Sequence, residues 1–200
     1  MIYIFLADGF EEIEALGTMD ILRRCGLEVQ LLSVNGKRVV NGAHGLEVKA
    51  DSVFRKNFVL HADALVLPGG MGGTENLMKC SLLRNTLMHR AMAGTLISAI
   101  CAAPLVLADA DLLTGKHMTC YPGLQSRMRG CIYHPEAYVV EHGNIITAAG
   151  PAATPYFAFA VATRLAGQEV VNKVKNDMLY EGLPEEHHRV LRVSEVLPVQ

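Results

Sequence analysis

Thr95-Leu-Ile-Ser-Ala-Ile-Cys101-Ala-Ala-Pro104-Leu-Val-Leu-Ala-Asp109 joins a short apolar run to a helix-prone one with almost no connecting chain. Thr95–Ile100 is partly β-branched and predicts a buried strand. Ala102-Ala-Pro104 predicts a sharp turn into a helix reaching Leu113. Cys101 stands at the junction. The backbone N–H groups and positive dipole end of that helix face it, and both stabilise a thiolate. A chain can set up a reactive sulfur this way without a metal. The competing reading is an inert core cysteine, since free Cys is among the most buried residue types.

The same alternation extends in both directions. Ile2–Ala7, Val29–Val34, Ala64–Leu67 and Lys116–Tyr121 predict strands. Glu11–Cys25, Thr74–Ala93, Pro155–Leu165 and Glu169–Tyr180 predict helices, with Gly26 stopping the first and Thr74 capping the second. Val39-Val40 and Leu46–Ala50, set among Asn-Gly turns, predict a small antiparallel excursion. Tyr138–Val140 and Ile145–Thr147 flank His142-Gly-Asn144 and predict a hairpin. Strands alternating with helices give an α/β fold, a mostly parallel sheet with helices on both faces. Residues 1–182 are expected to form one domain, and residues 183–200 a C-terminal tail that either packs on the body or stays loose.

Composition narrows the function. Half of the 200 residues are apolar, 19% are charged and the formal net charge is −2. That balance fits a globular domain and offers no basic stripe for nucleic acid. No apolar run is long enough to span a bilayer, and the N-terminus lacks the basic start of a signal peptide. The five cysteines (Cys25, Cys80, Cys101, Cys120, Cys131) include no C-x-x-C pair. A reducing, cytoplasmic setting is expected, with no metal and no cofactor.

Sites in such folds form outside the carboxyl ends of the strands. Asp8-Gly-Phe-Glu-Glu-Ile-Glu14, Pro68-Gly-Gly70 and Cys101 all fall there. Glu11 and Glu12 suit a helix start through the dipole. Glu14 has neighbours of mixed polarity, which leave it unplaced between core and solvent. Pro-Gly-Gly is either a plain tight turn or a means of presenting the Gly70 N–H to a ligand.

Gly9-Phe-Glu-Glu-Ile-Glu14, Leu67-Pro-Gly-Gly70, Ala99-Ile-Cys-Ala-Ala-Pro104 and Ala149-Gly-Pro151 occur in an order and spacing that resemble the ThiJ/PfpI superfamily, and within it the protein-deglycase branch. The resemblance covers roughly residues 1 to 180 and implies a flavodoxin-like α/β sandwich, commonly a homodimer. It also implies that Cys101 is the nucleophile and oxidation-sensitive thiol. Glu14 would be its proton partner, and the Gly70 and Ala102 amides the anion-stabilising donors. The expected substrate is a small reactive carbonyl, in chemistry of glyoxalase or deglycase type. The alternative is a non-enzymatic redox sensor or chaperone switched by Cys101 oxidation.

Three departures matter. The peptidase branch places His directly after the nucleophile, where this chain has Ala102, so peptidase or amidase activity is not expected. A position that often carries His near the site holds Tyr121. No arginine stands beside Gly150. His134-Pro135-Glu136 imitates a glutamine-amidotransferase pair, but it precedes the hairpin and reads as a solvated loop. The remaining histidines lack metal-ligand spacing.

Overall fold

The computed structural model describes residues 1–180 and 190–193. The expected Gly182 boundary and the His187-His188 pair lie outside the described residues. The strands are β1 (Ile2–Leu6), β2 (Val29–Ser33), β3 (Val39–Asn41), β4 (Glu47–Lys49), β5 (Ser52–Val53), β6 (Ala64–Leu67) and β7 (Leu96–Ile100). They continue with β8 (His117–Met118), β9 (Ile132–Tyr133), β10 (Val139–His142), β11 (Ile145–Ala148) and β12 (Val190–Val193). The helices are α1 (Thr18–Arg24), α2 (Met71–Met78), α3 (Ser81–Met92), α4 (Pro104–Asp109), α5 (Thr154–Ala166) and α6 (Gln168–Asp177).

Eight strands form the central sheet in the order β12-β10-β11-β7-β6-β1-β2-β5. All neighbours are parallel except β10 and β11, the expected hairpin. Strand side chains alternate between two apolar layers. Ile2, Ile4 and Leu6 of β1 join the layer of α1, α5 and α6. Tyr3 and Phe5 join that of α2, α3 and α4. Covering both faces in this way is what a parallel sheet needs, and the fold is flavodoxin-like.

Several elements differ from the sequence reading. The helix expected over Thr74–Ala93 is two, because the chain turns extended at Cys80 (φ −82°, ψ 90°). Thr74 lies inside α2 and donates its N–H to the Gly70 carbonyl, so the helix begins earlier than its polar cap signal. Gly72 and Gly73 are poor helix formers, but packing overrides propensity here. A Cβ on Gly73 would sit 2.7 Å from Phe10 Cα. The strand expected over Lys116–Tyr121 shrinks to β8, which among the described residues pairs only with β9. The chain beyond it leaves the ladder to reach the site. The helix expected from Cys101 to Leu113 ends at Asp109. Val190–Val193 lines up parallel to β10 at the sheet edge, and the rest of the expected tail lies outside the described residues. No helix among the described residues is long and apolar enough to cross a membrane.

Candidate active site

Three chain segments meet at the carboxyl ends of β1, β6 and β7. Cys101 follows β7 and adopts φ +64°, a left-handed conformation rare outside glycine. Backbone bonds on either side hold it there. Its N–H donates to the Ala148 carbonyl at 2.8 Å, and its carbonyl accepts from the Tyr121 N–H at 2.8 Å. Strain of this kind collects at functional sites and costs about 1–3 kcal/mol. Cys101 is 8% exposed.

Glu14 lies within a π-helical stretch, Ile13–Gly17, that precedes α1. The wider turn buries Glu14 completely and leaves Ile13 60% exposed. Glu14 Oε2 accepts the Gly69 N–H at 2.7 Å. Oε1 is buried and accepts no conventional hydrogen bond. The Cys101 thiol lies against this carboxyl group. The backbone N–H groups of Gly70 and Ala102 face the sulfur. The Cys101, Glu14, Gly70 and Ala102 named from sequence therefore stand together in space.

Gly69 was missed. A Cβ there would sit 2.7 Å from Glu14 Oε2 and 2.8 Å from the Cys101 Cβ, so only glycine fits between the two groups. The signal was the doubled glycine of Pro-Gly-Gly. The dipole reading of Glu11 also proves incomplete. Its carboxylate is buried and accepts the Glu14 N–H at 2.7 Å, which caps the turn that carries Glu14.

The electrostatics correct one expectation. Burial pushes Glu14 up to about 7, and the charge of Glu11 adds to it. The Gly69 N–H and the Cys101 contact pull the other way. Burial also pushes the Cys101 thiol up, followed by the charge and hydrogen bond of Glu14, while the Gly70 and Ala102 amides pull it down. An accessible sulfur already ionised at neutral pH is therefore not the resting state. Two buried groups in contact cannot both carry charge, so they titrate as one unit. The thiol ionises when Glu14 takes its proton. With α4 only six residues long, the two specific amides, rather than a helix dipole, favour the thiolate.

Other readings also changed. His134-Pro135-Glu136 lies on a turn with Pro135 and Glu136 exposed, as read, but His134 itself is half-buried and stacked on His117, its Nε2 2.7 Å from His117 Nδ1. Tyr121 is 51% exposed, with its ring against Gly150 and its backbone tied to Cys101. Glu11, Glu12 and His44, distant in sequence, gather their carboxylate and imidazole atoms within 4.8 Å. Their contacts are internal. Glu12 Oε1 accepts the His44 N–H at 2.7 Å, and Oε2 lies 2.8 Å from the His44 ring. Burial works to raise the Glu12 pKa, but those bonds outweigh it and hold it below the ordinary value. The trio is a clamp that fastens the turn between β3 and β4 to the segment bearing Glu14.

Fold and site together define a class: a flavodoxin-like sheet with a cysteine–carboxyl pair at its carboxyl edge. The chain belongs to the DJ-1/PfpI family, which it matches over residues 1–164. It is 36% identical over 177 residues to Protein dj-1beta of Drosophila melanogaster, covering 88% of this chain and 95% of that one. The crystal structure of that relative superposes with a TM-score of 0.85 at 35% identity, over 89% and 96% of the two chains. The structure of oxidized Toxoplasma gondii DJ-1 gives 0.84 at 32% identity, over 90% and 98%. The glutathione-independent glyoxalase DJR-1.2 of Caenorhabditis elegans is 31% identical over 165 residues, 82% of this chain and 87% of that one.

Proposed function

We propose that the protein converts small α-oxoaldehydes into 2-hydroxy acids, with Cys101 as nucleophile and Glu14 as its proton partner. The buried contact between the two, framed by the Gly69, Gly70 and Ala102 amides, carries this reading. The glyoxalase name of the C. elegans relative supports it.

Each step balances. Sulfur attacks the aldehyde carbon, the carbonyl π pair moves to oxygen, and the Glu14 carboxylate takes the thiol proton. The Gly70 and Ala102 N–H groups lie beside the sulfur and so beside the new oxyanion. One such donor contributes about 3–4 kcal/mol in other enzymes. Glu14 protonates that oxygen to give a thiohemiacetal. The carboxylate then removes the proton from the sulfur-bearing carbon and returns it to the neighbouring carbonyl carbon, while the thiohemiacetal hydroxyl passes its proton to that neighbour's oxygen, which becomes the 2-hydroxyl. The product is a thioester of the 2-hydroxy acid. Water adds to it, the S–C bond breaks, and the thiol regains its proton. One carbon is oxidised and its neighbour reduced, so no external electron carrier is needed.

Incubation with methylglyoxal is expected to yield lactate at a rate that rises as pH passes about 7, where Glu14 becomes available as a base. No lactate from the intact protein, or a rate that falls across that interval, overturns the reading.

A second reading, a redox sensor, is favoured by the two amides, which suit a sulfinate as well as an oxyanion. The oxidized form of the T. gondii relative is consistent with it. Mild peroxide should then place sulfinate on Cys101 ahead of the other four cysteines, because Cys101 alone has Glu14 to take its proton and the Gly70 and Ala102 amides to hold the sulfinate. Mass spectrometry showing even oxidation of all five cysteines counts against this reading.

A further inference from the structure

We propose that a cavity behind α4 is a binding site for a free α-amino acid with an aliphatic side chain. The cavity holds about 320 Å³ and lies against the end of α4 and the 125–130 loop. Its apolar lining is Leu105, Leu113 and Met78. Leu105 and Leu113 belong to the layer of α2, α3 and α4, whereas Cys101 packs in the other layer. The site is thus separate from the cysteine–carboxyl pair.

Two kinds of charge face the cavity from two segments. Arg127 and Arg129 come from the loop, and Asp109 and Asp111 from the end of α4 and the turn beyond it. Among the described residues, neither guanidinium has an ion pair or hydrogen bond of its own. Asp109 Oδ2 is 3.6 Å from Arg84, and Asp111 Oδ1 accepts the Thr114 hydroxyl at 2.7 Å. Each aspartate keeps a second oxygen for a ligand.

A carboxylate alone would satisfy the arginines and be repelled by the aspartates. An amine alone would meet the reverse. An aliphatic amino acid uses all three features. Its carboxylate matches the forked guanidinium donors, its ammonium faces the aspartates, and its side chain covers the leucines. Pockets of this size, with an apolar wall and a few convergent polar groups, suit ligands on that scale.

Isothermal titration of the intact protein with L-leucine and L-methionine tests this. Saturable binding is expected, with 4-methylpentanoate and 3-methylbutylamine each weaker by about tenfold or more. The double variant Arg127→Ala/Arg129→Ala should lose binding. So should Ala108→Phe, which fills the cavity, with circular dichroism confirming that both variants fold. Cys101→Ser should bind as the intact protein does. The proposal is overturned by any of three results: no saturation up to about 10 mM, half-ligands that bind as well as leucine, or a double variant that binds normally. Loss of binding on Cys101→Ser also overturns it, because the ligand would then occupy the other site.

Discussion

Serine in place of Cys101 abolishes lactate formation, and glutamine in place of Glu14 slows it by about 10²- to 10⁴-fold. The serine hydroxyl keeps the shape of the thiol but does not ionise near neutral pH, so the nucleophile is gone while the packing remains. Glutamine can accept the Gly69 N–H as Glu14 does, but it neither takes nor returns a proton.

The two variants separate again in stability. Glu14 titrates near 7 in the folded chain against an ordinary value of 4.5. A carboxyl raised in this way stabilises the fold fully below the unfolded value. That contribution is lost as pH rises through the folded value. By pH 8 the intact protein has therefore lost about 3 kcal/mol that Glu14→Gln retains. The glutamine variant should melt roughly 8 °C higher at pH 8, with almost no difference at pH 4. Cys101→Ser, which keeps the buried carboxyl, should show no such gain. Calorimetry at the two pH values, beside the lactate assay, decides it. Equal melting of Glu14→Gln and intact protein at pH 8 would falsify the burial argument, and full turnover in either variant removes the proposed chemistry.

The second large effect is structural. Gly70→Ala should destabilise the fold by about 3–5 kcal/mol. The added Cβ would sit 2.3 Å from the Gly9 carbonyl oxygen and 2.7 Å from the Glu11 nitrogen. Both are backbone atoms held by their own hydrogen bonds, so neither can step aside. Gly70 also has φ +81°, which an alanine resists. Gly94 shares that φ but has no atom within 4 Å of an added Cβ. Gly94→Ala therefore reports the cost of a positive φ without a clash, about 1 kcal/mol. Thermal melts should show Gly70→Ala lowered by roughly 10 °C or more, and Gly94→Ala by far less. Equal losses in the two would mean that the loops pack less tightly than the distances imply.

Much of this was legible in the sequence because it depends on local pattern. The apolar runs at Ile2, Ala64 and Leu96 were strands in the expected order, and His142-Gly-Asn144 was a hairpin turn. The four motifs named the family, and their positions after successive strands brought Glu14, Gly70 and Cys101 to one sheet edge. The sequence reading failed where packing opposed propensity. Gly72 and Gly73 looked like loop yet lie in α2, where Phe10 leaves no room for a side chain on Gly73. Glu12 looked like a dipole residue, and its partner His44 comes from a turn that no spacing rule connects to it.

Chain pattern alone determined which residue types reach the site. Periodicity and glycine placement decide which segments become strands or helices and where turns fall before any distant contact forms. Only the folded molecule decided who holds the proton. Acidity follows solvent exclusion and neighbours a few ångströms away, and here those neighbours come from three segments far apart in the chain.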